Sequence, residues 1–164
     1  MDALLLRALV HEINPRLAGS RIERLHQPDD QSLLVRVFPP RNTYLMIGVS
    51  RRGPTVGLTS TKPDCPPAPL GFCQLLRARL EGGTVDDLSC VTGDRICRLR
   101  VRAQTTFVLV AEMFGPAPDV YLVDECSGRV LGHLRRGSLP RRMAGGIYAP
   151  PVPSAPVRAG GRAG

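Results

Sequence analysis

Apolar positions along the chain follow two rhythms in turn. Near the start, Leu6, Val10, Ile13 and Leu17 recur every three or four residues, with Leu5 and Leu9 widening the stripe, which predicts a helix over about residues 3–17. Asp2 stands where a side-chain oxygen can cap it. Pro15 removes a backbone donor, so the last turn is expected to kink or the helix to end near Ile13. After Gly19 the period shortens. Runs at Arg21–Gln27, Ser32–Phe38, Thr43–Val49 and Thr55–Thr59 are separated by Pro28-Asp29-Asp30, Pro39-Pro40-Arg41-Asn42 and Arg51-Arg52-Gly53-Pro54. Such short links allow antiparallel hairpins or a meander and exclude parallel crossovers, which need a dozen or more residues.

A proline-rich connection over Lys62–Pro69 leads to a second helical pattern, in which Phe72, Leu76 and Leu80 share a face with Leu75 beside them. Gly82-Gly83 stops it, because glycine adopts the left-handed backbone cheaply. Strands are then expected near 84–91, 95–103, 106–113, 119–124 and 129–135. The pattern predicts one α+β domain over residues 1–150, an antiparallel β-sandwich flanked by helices near 3–17 and 70–81. From Ala149 the composition turns to proline, glycine, alanine and arginine, so residues 151–164 are expected to form a disordered tail or linker stub. No internal repeat is present.

The formal charge of +8 and pI near 10.1 narrow the partner class to polyanions, most often nucleic acid or an acidic surface. Lys62 is the only lysine. Arginine suits bidentate phosphate contact, although an arginine-favouring genome accounts for the same bias. Five cysteines, an odd number without C-x-x-C, and no basic leader with a small-residue cleavage site lead to an expectation of reduced thiols in the cytoplasm. No apolar run approaches the roughly 18 residues of a membrane span. His11, His26 and His133 have no metal-ligand spacing, and no nucleophile elbow, Walker loop or strand-linked G-x-G-x-x-G occurs. The adjacent carboxylates Asp29-Asp30 and Asp86-Asp87 are not set across a cleft for acid–base work. With 4% aromatic residues and no tryptophan, a base-stacking platform is disfavoured. The expectation is a binding protein, not an enzyme, with no cofactor and no small-molecule substrate.

Candidate contact residues follow from position. Asp94 and Arg95, in Gly93-Asp94-Arg95 at a strand entry, pair a rigid donor fork with an orienting carboxylate. Arg7, His11 and Asn14 lie off the centre of the first helix's apolar stripe. Arg98, Arg100 and Arg102 share one strand face opposite Cys97, Leu99 and Val101. That row suits either a phosphate backbone or simply the solvated side of a half-buried sheet. By parity Arg95 falls on the apolar side, where an unpaired charge costs roughly 3–5 kcal/mol. Glu112 is the internal partner this reading offers, and a buried Arg95–Glu112 scaffold pair is the alternative to a ligand-binding role.

Taken in order, MDALLLRALVHEIN, RIERLHQPDD, FCQLLRARLEGG, GDRI, EMFG and VYLVDECSGRVLGHLRR…IYAPP resemble the NFACT-N domain of the RqcH/NEMF proteins, historically filed as fibronectin-binding protein A, over about residues 1–152. The resemblance implies a ribosome-associated quality-control factor. Such a factor binds tRNA, in bacteria alanine tRNA, and a large ribosomal subunit with obstructed peptidyl-tRNA, and supports template-free C-terminal tailing. The family's Asp-Arg pair, engaged with tRNA, maps onto Asp94 and Arg95. Family members usually follow E-L-M-G with an R-H-S-N-like stretch, whereas EMFG is followed here by Pro116-Ala117-Pro118-Asp119. Full-length members add a helix-hairpin-helix region, coiled-coil arms and an NFACT-R domain. The family fold resembles the N-terminal domain of formamidopyrimidine-DNA glycosylases, whose proline nucleophile and following glutamate are replaced here by Asp2 and Ala3. Glycosylase-like chemistry and a surface fibronectin-binding adhesin are the rival readings.

Overall fold

The computed structural model describes residues 2–50, 53–91 and 95–151. Helix α1 (Ala3–Leu17) opens the chain, and the Asp2 carboxylate accepts the Leu5 N–H at 2.8 Å, satisfying one orphan donor of the first turn. Leu6, Val10, Ile13 and Leu17 are its buried face. The helix does not end near Ile13. Pro15 sits inside the final turn, where only one intrahelical bond is forfeited, and the Ala18 N–H still reaches the Asn14 carbonyl at 2.9 Å.

Strands β1 (Arg21–Asp29), β2 (Ser32–Phe38), β3 (Thr43–Gly48) and β4 (Thr55–Thr59) form an antiparallel meander. Helix α2 (Gly71–Leu80) follows, then β5 (Thr84–Cys90), β6 (Ile96–Arg102), β7 (Thr106–Glu112), β8 (Asp119–Asp124) and β9 (Val130–His133). A 3₁₀ segment at Arg141–Gly146 closes the described chain.

The predicted separate sheets are one sheet by hydrogen bonding, ordered β4-β3-β2-β1-β5-β6-β7-β8-β9. Its weak joint is β1–β5, registered only through Arg21↔Thr84. The Gly82-Gly83 corner reinforces that joint: Gly82 N–H donates to the Ile22 carbonyl and Ile22 N–H to the Gly83 carbonyl, both at 2.8 Å. Gly82 has φ +85°, the left-handed conformation expected of a helix stop. Gly83 is needed for space, since a Cβ there would stand 3.0 Å from both the Arg102 carbonyl oxygen and Val101 Cγ1.

The sheet is curled. Helix α2 touches both β1 and β9, which lie five positions apart, or about 24 Å in a flat sheet, whereas ten residues of helix span only about 15 Å. Alternate residues of both halves, including Leu33, Val35, Leu99, Leu109 and Leu122, meet the two helices in one main core. A second apolar cluster lies on the outer face of β6–β8, where Ile96, Val108, Val110, Tyr121 and Val123 are covered by Met143. Among the described residues, no helix is long and apolar enough to cross a membrane. The 151–164 tail lies outside the described residues except for Pro151.

Candidate nucleic-acid interface

The β5–β6 hairpin carries the predicted contact pair. Asp94 lies outside the described residues; Arg95 is exposed at the entry to β6. Register places Ile96 opposite Glu112, so Arg95 falls beside Met113, and its carbonyl accepts the Met113 N–H at 3.1 Å. The guanidinium lies over the next side chain: Arg95 Cζ is 3.6 Å from the Phe114 ring centroid. Phe114 itself packs against the main core. A cation stacked on a fixed ring loses rotamer freedom, and among the described residues its N–H edges have no hydrogen-bond partner, which makes Arg95 a preset donor fork. Phe114, the aromatic residue of EMFG, carries no periodic signal, yet the β6–β7 register brings it next to Arg95.

Glu112 does not pair with Arg95. It shares the outer face with its register partner Ile96, one residue out of phase with Arg95, so the two side chains leave opposite faces of the sheet. There Glu112, only 4% exposed, accepts from the Arg142 guanidinium and from the Tyr148 hydroxyl, the latter at 2.8 Å. Burial, followed by the nearby Glu112 carboxylate, pushes the Tyr148 phenol well above its ordinary range. Glu112 is therefore a structural anchor for the C-terminal strap and not an RNA-facing group.

The arginine row also divides. Arg100 spends its fork on carboxylates of the chain: Nε and Nη2 donate to Glu125 and Nη1 to Asp86, each at 2.7 Å. These bonds push the Arg100 pKa up and hold Glu125 below the usual carboxylate range, chiefly through the Arg100 hydrogen bond. Arg102 Nε reaches the other Asp86 oxygen at 3.1 Å. Arg100 is thus occupied and does not serve as a free RNA contact. Arg98 is exposed and lines an outer cleft with Glu125 and Tyr148.

Arg7 and His11 are exposed on α1 and border a surface groove with Ser89 and Cys90. Asn14 belongs to the scaffold instead, its side-chain oxygen accepting the Leu88 N–H at 2.8 Å. Cys90 faces Cys97 across the β5–β6 pair, and the hydrogen bond from Cys97 lowers the Cys90 pKa while the same bond and burial raise that of Cys97. The groove ends at Cys90, where the hairpin bearing Arg95 begins. Arg7 and His11 thus border the β5 end of this groove, while Arg98 lines the cleft on the outer face.

The divergent Pro116–Asp119 stretch ends in a buried corner. Asp119 accepts from its neighbour Val120 N–H at 2.8 Å, from Arg135 N–H at 2.9 Å, and meets His133 Nδ1 at 2.8 Å. Among the described residues, no three His, Cys, Asp or Glu side chains gather as metal ligands.

The family model for the NFACT N-terminal and middle domains matches residues 2–153. The chain belongs to that NFACT family. The Rqc2 homolog RqcH of Streptococcus pneumoniae serotype 2 is 26% identical over 137 residues, covering 79% of this chain and 25% of the relative. RqcH of Bacillus subtilis (strain 168) is 24% identical over 141 residues, with 82% and 25% covered. This NFACT chain thus spans about a quarter of the length of those relatives. The N-terminal domain of fibronectin-binding protein PavA from Streptococcus pneumoniae superposes with a TM-score of 0.86 at 24% identity, covering 95% of this chain and 66% of that one. The N-terminal part of the fibronectin/fibrinogen-binding protein of Streptococcus suis gives 0.80 at 21% identity, covering 89% and 59%. These likenesses establish the fold, and the curated relatives that share the NFACT family with this chain are RqcH proteins.

Proposed function

We propose that this domain binds tRNA, in bacteria alanine tRNA, on a large ribosomal subunit that still carries an obstructed peptidyl-tRNA. In that role it supports template-free C-terminal alanine tailing as part of an RqcH-type factor. The observation that carries the reading is the exposed Arg95 fork, seated on Phe114 and fixed through the Met113 N–H. The ring occupies one face of the guanidinium, which leaves its edge donors for phosphate and ribose oxygens. The Asp94 of the family pair supplies the orienting carboxylate or accepts a 2′-hydroxyl. Arg7 and His11 extend the contact along α1. Peptidyl transfer belongs to the ribosome, so the domain positions its partners and is not an enzyme, and the site of action is the cytoplasm.

Kinship with the glycosylase N-terminal domain stays a proposal about fold ancestry and brings no chemistry with it. The position that bears the nucleophile in those enzymes holds Asp2, whose carboxylate is spent on the helix cap.

The test is a mobility-shift titration with alanine tRNA at physiological salt. Arg95→Ala should weaken binding about tenfold, the loss of one charge-assisted contact, with little change in melting temperature. Arg95→Lys, which keeps the charge without the planar fork, should fall between. A marked fall in melting temperature with unaltered tRNA affinity would make Arg95 a scaffold residue. Fibronectin binding in the absence of tRNA affinity would move the domain to the adhesive role named for PavA.

A further inference from the structure

Cys90 and Cys97 form one rung of the β5–β6 hairpin, directly opposite each other in register. Two hydrogen bonds fix the kind of rung. The Val91 N–H donates to the Ile96 carbonyl at 3.0 Å, which makes 91 and 96 a hydrogen-bonded pair and 90 and 97, the next rung, a non-hydrogen-bonded one. Leu88 has the same parity as Cys90, and its N–H turns away from β6 to the Asn14 side chain at 2.8 Å, as that alternation requires. In non-hydrogen-bonded pairs the Cα atoms stand about 4.5 Å apart with the side chains close, within the roughly 4.4–6.8 Å that a disulfide spans. Both sulfurs belong to the inner face, Cys97 within the main core and Cys90 packed against it.

The two thiols differ in access. Cys97 is 1% exposed, whereas Cys90 is half-buried and lines the groove beside α1 with Arg7 and His11. The hydrogen bond from Cys97, and more weakly the charge of Arg7, favour the Cys90 thiolate against the opposing effect of burial. The thiolate is the form that attacks an oxidant. A small peroxide entering by the groove therefore meets Cys90 first, with Cys97 directly behind it. Cys126, exposed in the turn between β8 and β9, is the comparison thiol.

We propose that Cys90 and Cys97 are a peroxide-oxidised dithiol that closes into a cross-strand disulfide. The Cys90 thiolate attacks one oxygen of hydrogen peroxide and the O–O bond breaks. Cys90 becomes a sulfenic acid, and the departing hydroxide takes up the proton the thiol had released, giving water. Cys97 then bonds to the Cys90 sulfur while the sulfenic oxygen leaves with the Cys97 proton as a second water. The two sulfurs together lose two electrons and the peroxide gains them; a dithiol reductant reverses the link. Arg95 immediately precedes β6, so the disulfide locks the hairpin at the end that carries Arg95. The assignment stands apart from the tRNA reading.

The reduced full chain is treated with hydrogen peroxide, alkylated, unfolded and cut by trypsin, which cleaves after Arg95 and separates the two cysteines unless they are bonded. Mass spectrometry should find the linked peptide pair in the parent and in Cys126→Ser alike, and dithiothreitol should abolish it. Cys97→Ala should stop at a Cys90 sulfenic acid that dimedone captures. Cys90→Ser should slow oxidation of Cys97 about tenfold or more. On closure, hydrogen exchange at the Val91 amide should slow about tenfold or more, and the melting temperature should rise by roughly 5–10 °C for so short a loop. The proposal is overturned if Cys126 oxidises while Cys90 and Cys97 stay reduced, or if Cys97 oxidises equally fast without Cys90. A link from either cysteine to Cys126 or to another copy of the chain overturns it as well. A disulfide that changes neither exchange nor melting overturns only the lock.

Discussion

Replacing Arg142 by alanine tests the partnership that the structure substitutes for the expected Arg95–Glu112 pair. The Glu112 side chain is 5% exposed and that of Arg142 29%. Without the guanidinium, Glu112 retains only the Tyr148 hydroxyl, and its charge stays on the outer face of β7 beneath the strap. Breaking a fully buried pair from one side costs about 3–5 kcal/mol, and partial exposure of Arg142 lowers this to about 2–3 kcal/mol. For a domain of this size each kcal/mol moves the midpoint by roughly 2–4 °C, so thermal unfolding followed by circular dichroism should shift down by about 4–12 °C. Arg95→Ala, which removes an exposed cation–ring contact, should cost no more than about 1 kcal/mol. In the Glu112→Gln background the Arg142→Ala cost should shrink, because no charge is then stranded, giving a coupling above about 0.5 kcal/mol. The reasoning is refuted if Arg95→Ala and Arg142→Ala cost the same, or if the cycle shows no coupling.

Two further outcomes follow from local geometry. Gly83→Ala should lose about 1–3 kcal/mol, since its Cβ would meet two backbone carbonyls and Val101 at 3.0–3.1 Å. Gly57→Ala, with nothing within 4 Å, should stay within about 0.5 kcal/mol in the same urea titration. Burial first, then Lys62, Arg77, Arg24 and Arg36, holds the His26 pKa down at about 4 against an ordinary 6.5. Between those values the unfolded chain binds the proton and the folded chain does not, so this contribution to stability is complete above pH 6.5 and declines toward pH 4. The fall in urea midpoint from pH 7 to pH 4.5 should be smaller for His26→Gln than for the parent.

The secondary structure was legible because nearly every element has one buried face at a clear period. Leu6–Leu17 and Phe72–Leu80 repeat at helical spacing, and Cys97, Leu99 and Val101 alternate with arginines. The strap was not, since Met143 and Tyr148 pack against the second cluster from irregular backbone that has no period to detect. At the candidate site, parity correctly put Arg95 on the inner side of β6. Parity alone could not show that the strand end lets the side chain emerge onto Phe114. Nor could it show that Glu112, one residue out of phase, belongs to the opposite face. The fate of Arg100 depended on Asp86 and Glu125, which are distant in sequence and meet only once β5, β6 and the end of β8 are assembled.

The curled sheet has just two rims, β4 and β9, and each has a helix against it, α1 on the first and α2 on the second. A chain adding to either rim would have to lie beside a helix, which narrows the approach to the sheet's hydrogen-bonding edges.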